Sequence, residues 1–147
     1  MRAARLAAHC SALLGPISGP ILIACPGAPR LAAVLAARVL VAGEADVPAG
    51  ALVSFLGTPA RPAERQALLR SFQRRLPARA PVLLVDHNQP RAVWRRLAGF
   101  VCLSAARLRR ARARYPAARE LAALGFAVEC LRLTCGERVQ LVLARRR

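Results

Sequence analysis

Apolar residues along the chain alternate between short continuous runs and helical stripes. Residues 3–14 read as a short helix, with 15–20 as its exit. Ile21, Leu22, Ile23 and Ala24 then form a continuous apolar run, the pattern of a strand covered on both faces. Pro26, Gly27, Ala28 and Pro29 mark a turn, after which Leu31, Val34 and Leu35 share one face of a helix predicted to end near Arg38. Residues 39–42 make the next apolar run and residues 51–56 another. The eight residues 43–50 between them are too few for a crossover helix, which takes about a dozen or more with its loops. Past Gly57, Thr58 and Pro59, segment 61–76 has an amphipathic pattern. Leu68, Leu69, Phe72 and Leu76 form its apolar stripe, and Arg65, Arg70, Arg74 and Arg75 are expected to point outward. Residues 77–81 return the chain to a strand at 82–85.

The second half continues the alternation. Segment 90–114 is helical by composition, with Trp94, Leu97, Val101 and Leu108 near one face and arginines crowding its end. A shorter helix follows from Tyr115. Leu121 and Leu124 sit one turn apart, Arg119 and Glu120 are expected to face solvent, and Gly125 supplies the left-handed residue that stops the helix. Phe126 opens a strand, residues 135–137 turn it, and Val139, Leu141 and Val142 carry the last strand of a hairpin. Strands alternating with helices predict an α/β fold: a doubly wound, mostly parallel, Rossmann-like sheet of about six strands with a C-terminal antiparallel hairpin. At 147 residues this is one domain over 1–147, with 1–19 as an N-terminal helix or extension.

In an open parallel sheet, ligands bind outside the carboxyl ends of the strands, which selects residues 25–28, 43–46, 56–59 and 86–88. The strand leading to Asp86 and His87, the helical excursion after it, the E-L-x-x-x-G-F-x-V step from Glu120 to Val128 and the final hairpin resemble the C-terminal half of class I S-adenosylmethionine-dependent methyltransferases. The resemblance covers residues 51–146 and is weaker over 1–50, where one β-α unit of the family pattern is missing. It implies S-adenosylmethionine as cofactor, an unspecified methyl acceptor, and a last strand lying antiparallel beside 82–85. It also implies roles for residues at the strand ends. Cys25 and Gly27 fall in the loop that approaches the methionine part of the cofactor. Glu44, with Asp46 as the fallback, takes the place of the carboxylate that grips both ribose hydroxyls. Leu56 and Gly57 fall beside the sulfonium.

The departures from that pattern keep other readings open. The first loop retains one glycine, its prolines remove amide donors, and no carboxylate stands near Leu22 or Ile23, so an ordinary tight turn fits as well. Glu44 and Asp46 also read as solvated loop acids, and Thr58 with Pro59 as a helix start. Asp86 and His87 are the candidate catalytic pair, His87 as a general base for a nucleophilic acceptor; the alternative is a capping aspartate beside an exposed loop histidine. His9 is given no role. A non-catalytic scaffold of the same fold is the alternative to methyl transfer.

Charge adds a third reading. The net charge of +17 comes from arginine alone, since the chain has no lysine. Such a surface attracts polyanions, and Arg107–Arg119 is the candidate nucleic-acid segment, although stacking aromatics are scarce. The five cysteines fit no metal frame and read as reduced thiols of a cytoplasmic protein. Residues 22–25 resemble a lipoprotein cleavage box, but His9, Gly15, Pro16, Gly19 and Pro20 interrupt the apolar segment and Pro26 follows it. No apolar run reaches the roughly 20 residues of a membrane span. No G-x-S-x-G, GxxxxGK[ST] or H-E-x-x-H motif occurs.

Overall fold

The computed structural model describes residues 3–44, 46–58, 61–88 and 117–147. The helix expected over 90–114, with Trp94, Leu97, Val101, Leu108 and the arginines up to Arg114, lies outside the described residues, as do Pro59 and Tyr115.

The elements follow the apolar pattern closely. Helix α1 (Ala3–Leu14) leads to strand β1 (Ile21–Ala24), helix α2 (Pro29–Ala36), strand β2 (Gly50–Ser54), helix α3 (Pro62–Arg75) and strand β3 (Pro81–His87). Helix α4 (Ala117–Ala123), strand β4 (Phe126–Thr134) and strand β5 (Val139–Arg146) complete the order. Helix α3 begins at Pro62, not after Thr58. Arg61 is its N-cap residue, its amide N–H donates to the Glu64 carboxylate at 3.0 Å, and the proline occupies the first turn, where its missing N–H costs nothing. Helix α4 ends at Gly125, whose φ of +83° is the left-handed cap the sequence predicts.

Among the described residues the sheet has five strands, in the order β1-β2-β3-β5-β4. β1, β2 and β3 are parallel. β5 is inserted antiparallel between β3 and β4, with Leu84 opposite Val142 and Leu131 opposite Val142 on the other side. That insertion beside residues 82–85 is the arrangement expected from the resemblance. The sixth strand, expected from residues 39–42, is reduced to one bridge between Val41 and Ile21. The physical reason lies in the next few residues. Gly43 begins a turn closed by its own N–H donating to Asp46 Oδ2 at 2.7 Å, and Ala49 is already bonded to Pro20 O, so the chain leaves the sheet edge before a ladder can grow.

Side chains alternate across the sheet and feed two cores. Ala51, Val53, Val82, Leu84, Val142 and Ala144 face α3 and α4, where they meet Leu69, Phe72 and Leu121. Leu52, Leu83, Val85 and Leu141 face α1 and α2, where they meet Leu6, Cys10, Leu31 and Leu35. Parallel strands buried on both faces explain why their sequences read as unbroken apolar runs. No helix among the described residues is long and apolar enough to cross a membrane.

Candidate functional site at the carboxyl ends of the strands

Because β1, β2 and β3 are parallel, their carboxyl ends open on the same side of the molecule. Three of the four predicted segments meet there. The loop after β1, carrying Cys25 and Gly27, lies directly against the loop after β2, carrying Leu56 and Gly57. A Cβ placed on Gly27 would come within 2.3 Å of Gly57 C and Thr58 N, and one placed on Gly57 within 2.3 Å of Gly27 O. The two loops thus approach backbone to backbone, which only glycine at both positions allows. From β3, His87 reaches the same place: Gly57 N–H donates to His87 Nε2 at 3.4 Å. In this contact Nε2 is the acceptor.

Glu44 and Asp46 do not join this group. Asp46 closes its own turn through Gly43. The Glu44 side chain is exposed, and the carbonyls of Gly43 and Glu44 accept from Arg75 Nη2, in the last turn of α3, at 2.6 and 3.4 Å. Among the described residues neither carboxylate is bonded to the three loops.

Cys25 is half-buried. Burial pushes its thiol up to about 11, against a smaller downward pull from the Ser54 backbone, so it is protonated and a poor nucleophile at neutral pH. Cys10 on α1 is likewise pushed up to about 12, chiefly by burial. A cavity of about 370 Å³ lies elsewhere. It opens between the end of α1 and residues 38–40, against Ile21, Leu35 and Leu52, and its mostly apolar walls, with Ser11 and Arg38 among them, hold none of the strand-end residues.

Beneath the loops sits a group of charges that the apolar pattern concealed. Arg65, expected to point outward, is only 3 % exposed. Its Nη2 donates to Asp86 Oδ2 at 2.7 Å and to Glu120 Oε2 at 2.7 Å, and its Nε donates to Glu120 Oε1 at 3.2 Å. The guanidinium carbon stands 3.9 Å from the centre of the Phe55 ring, at the end of β2. Glu120, also expected in solvent, has a side chain only 8 % exposed. Two carboxylates and an aromatic face around one guanidinium offset the cost of removing it from water, which is why Arg65 turns inward. Burial disfavours its charge, but Glu120 and Asp86 outweigh burial and hold its affinity for the proton above the ordinary arginine value. The other oxygen of Asp86, Oδ1, accepts the backbone N–H of His87 at 2.7 Å, so Asp86 is anchored between α3 and the candidate base. Arg65 occupied an apolar-stripe position in the sequence, four residues before Leu69 and seven before Phe72; that spacing was the signal for it.

Burial also pushes the Asp86 carboxyl above its ordinary value of 3.8, outweighing the pull of Arg65 and of the His87 amide, and Glu120 adds to the rise. Above 3.8 the folded chain therefore keeps a proton that the unfolded chain has released. The stabilisation from this group is complete below 3.8 and is lost as pH rises through the folded value. The stability of wild type minus that of Asp86→Asn is expected to decrease over this window. Urea denaturation at stepped pH measures it, and a difference that grows with pH contradicts the assignment.

No family model and no curated protein matches the chain. Several solved structures superpose on it, three of them as follows. The pyocyanin biosynthetic protein PhzM matches with a TM-score of 0.68 at 17% identity, over 98% of this chain and 55% of its own. TnmH matches at 0.67 and 17% identity, over 99% of this chain and 55% of its own. The glycopeptide N-methyltransferase MtfA, complexed with sinefungin, matches at 0.65 and 14% identity, over 100% of this chain and 95% of its own. The chain shares their fold. It spans little more than half the length of PhzM and TnmH and nearly all of the length of MtfA.

Proposed function

We propose that the chain carries out S-adenosylmethionine-dependent methyl transfer at the carboxyl ends of β1, β2 and β3. The observation that carries this reading is the convergence of the Gly27 loop, the Gly57 loop and His87 on that end of a sheet whose order is β1-β2-β3-β5-β4. The methyltransferase MtfA, which shares the fold, supports it.

The loops after β1 and β2 are where the fold offers a place for the methyl-donor end of the cofactor. Gly27 and Gly57 bring two backbones into contact there, and a Cβ on either would overlap the other loop. Cys25, Gly27, Leu56 and Gly57 would hold it, with backbone groups in place of side chains, once the touching loops part. Glu44 and Asp46 remain the carboxylates proposed for the ribose, and reaching it requires release of the turn held by Asp46 and Arg75. S-adenosylmethionine supplies an electrophilic methyl group when bound. His87 Nε2, once the Gly57 N–H has left it, would accept the proton of the nucleophilic acceptor, and Asp86 would hold the histidine backbone in place. Alignment of donor and nucleophile supplies most of the acceleration in such a transfer.

Calorimetric titration of the purified chain with S-adenosylhomocysteine tests the reading. Binding that Glu44→Ala weakens supports a working site that includes the ribose carboxylate. Binding indifferent to Glu44→Ala confines the site to the Gly27 and Gly57 loops. Absence of binding to the wild type sinks the enzyme reading and leaves the fold as a scaffold.

A further inference from the structure

Charges buried in groups are weak evidence of stability, since apolar replacements of similar volume are often neutral or better. The Arg65 group therefore calls for a reason beyond packing. Its location supplies one. Phe55 and Asp86 lie at the carboxyl ends of β2 and β3, level with the candidate site, while Arg65 and Glu120 arrive from two different helices. The contacts then run in one direction without a break. Glu120 holds Arg65 with two bonds; Arg65 holds Asp86 Oδ2; Asp86 Oδ1 holds the His87 amide; and His87 Nε2 receives the Gly57 amide. The His87 carbonyl is fixed as well, by Gln140 Nε2 at 2.9 Å from β5.

We propose that Arg65 and Glu120 are positioning residues: acting through Asp86, they set the orientation of His87 and so the placement of the Gly57 loop at the mouth of the site. This rests on the methyl-transfer reading for its purpose, but not for its test. The planar guanidinium is suited to the task because it binds both carboxylates along fixed directions, which an ammonium does not. A lysine at position 65 keeps the charge and loses the directions. A glutamine at position 120 keeps the shape and loses the charge, at a residue that touches neither His87 nor Gly57 in the contacts above.

The chain contains only two histidines, and His9, exposed on α1, is an internal control. The experiment is ¹⁵N nuclear magnetic resonance of the whole chain at neutral pH without ligand, on wild type, Arg65→Lys and Glu120→Gln. It is followed by calorimetric titration of each with S-adenosylhomocysteine. The wild type is expected to show His87 with its proton on Nδ1. In both variants the His87 ring nitrogens and the Gly57 amide are expected to move, while His9 and the β4–β5 hairpin stay in place. The affinity for S-adenosylhomocysteine should fall about tenfold, the scale of losing roughly one hydrogen bond.

If His87 and Gly57 keep their wild-type signals in a folded variant, the proposal is overturned. It is also overturned if both variants lose a cooperative melting transition, because the group would then be a folding element alone. If only Arg65→Lys fails to fold, Glu120→Gln decides. If the His87 and Gly57 signals move but the wild type binds no S-adenosylhomocysteine, the positioning stands and the methyl-transfer reading fails.

Discussion

Replacing Arg65 by methionine is expected to lower stability by about 3–5 kcal/mol, the usual cost of removing one partner from a buried ion group. Methionine fills a similar volume, so little of the loss would come from a cavity. The loss would come from Asp86 and Glu120, which would remain buried without their shared guanidinium, together with the contact to the Phe55 ring. The triple variant Arg65→Met, Asp86→Asn, Glu120→Gln separates these contributions. With no charge left to desolvate, it should recover most of the loss in urea denaturation. If the triple variant is as unstable as Arg65→Met alone, the penalty is one of shape and the electrostatic account is wrong. The single variant should also lose less at acid pH, where the stranded carboxylates take up protons.

The second large effect is expected at the meeting of the two loops. Gly57→Ala places a methyl group 2.3 Å from Gly27 O on a backbone whose φ is +78°. A left-handed alanine costs about 1–2 kcal/mol, and forcing apart packed backbone adds about 1–3 kcal/mol. Gly136→Ala is the control. Its φ is +65°, and nothing lies within 4 Å of the added carbon, so it carries the conformational cost alone. Thermal or urea denaturation of the two should differ by the overlap contribution. Equal losses would mean that the Gly27 and Gly57 loops separate freely.

Much of this architecture was written in local signals. Gly125 ended α4 as an isolated residue would, the turn at 135–137 joined two strands, and the apolar runs of β1, β2 and β3 were unbroken because both faces are covered. The strand-end rule then gathered Cys25, Gly27, Leu56, Gly57 and His87 in one place without any catalytic motif. What was not legible depended on distant partners. Arg65 sat on the apolar stripe of α3, but nothing local showed that Asp86, 21 residues on, and Glu120, 55 residues on, would come to neutralise it. Glu120 was read as exposed for the same reason. Residues 39–42 had the composition of a strand, yet a ladder also needs room to run alongside its neighbour, and the turn closed by Asp46 denies it that room.

The position of β5 sets an order on how the molecule can be assembled. Among the described residues β4 pairs with β5 alone, and β5 is made after it, so β4 waits for that partner until β5 arrives. β3 also waits, because one of its edges is reserved for residues about sixty positions later in the chain. Long-range pairings of this kind are slow to form, and an open strand edge in the meantime invites association between molecules. During synthesis the parallel half can gather around β1, β2 and β3, but the sheet becomes continuous only once Val139–Arg146 has paired with both β3 and β4.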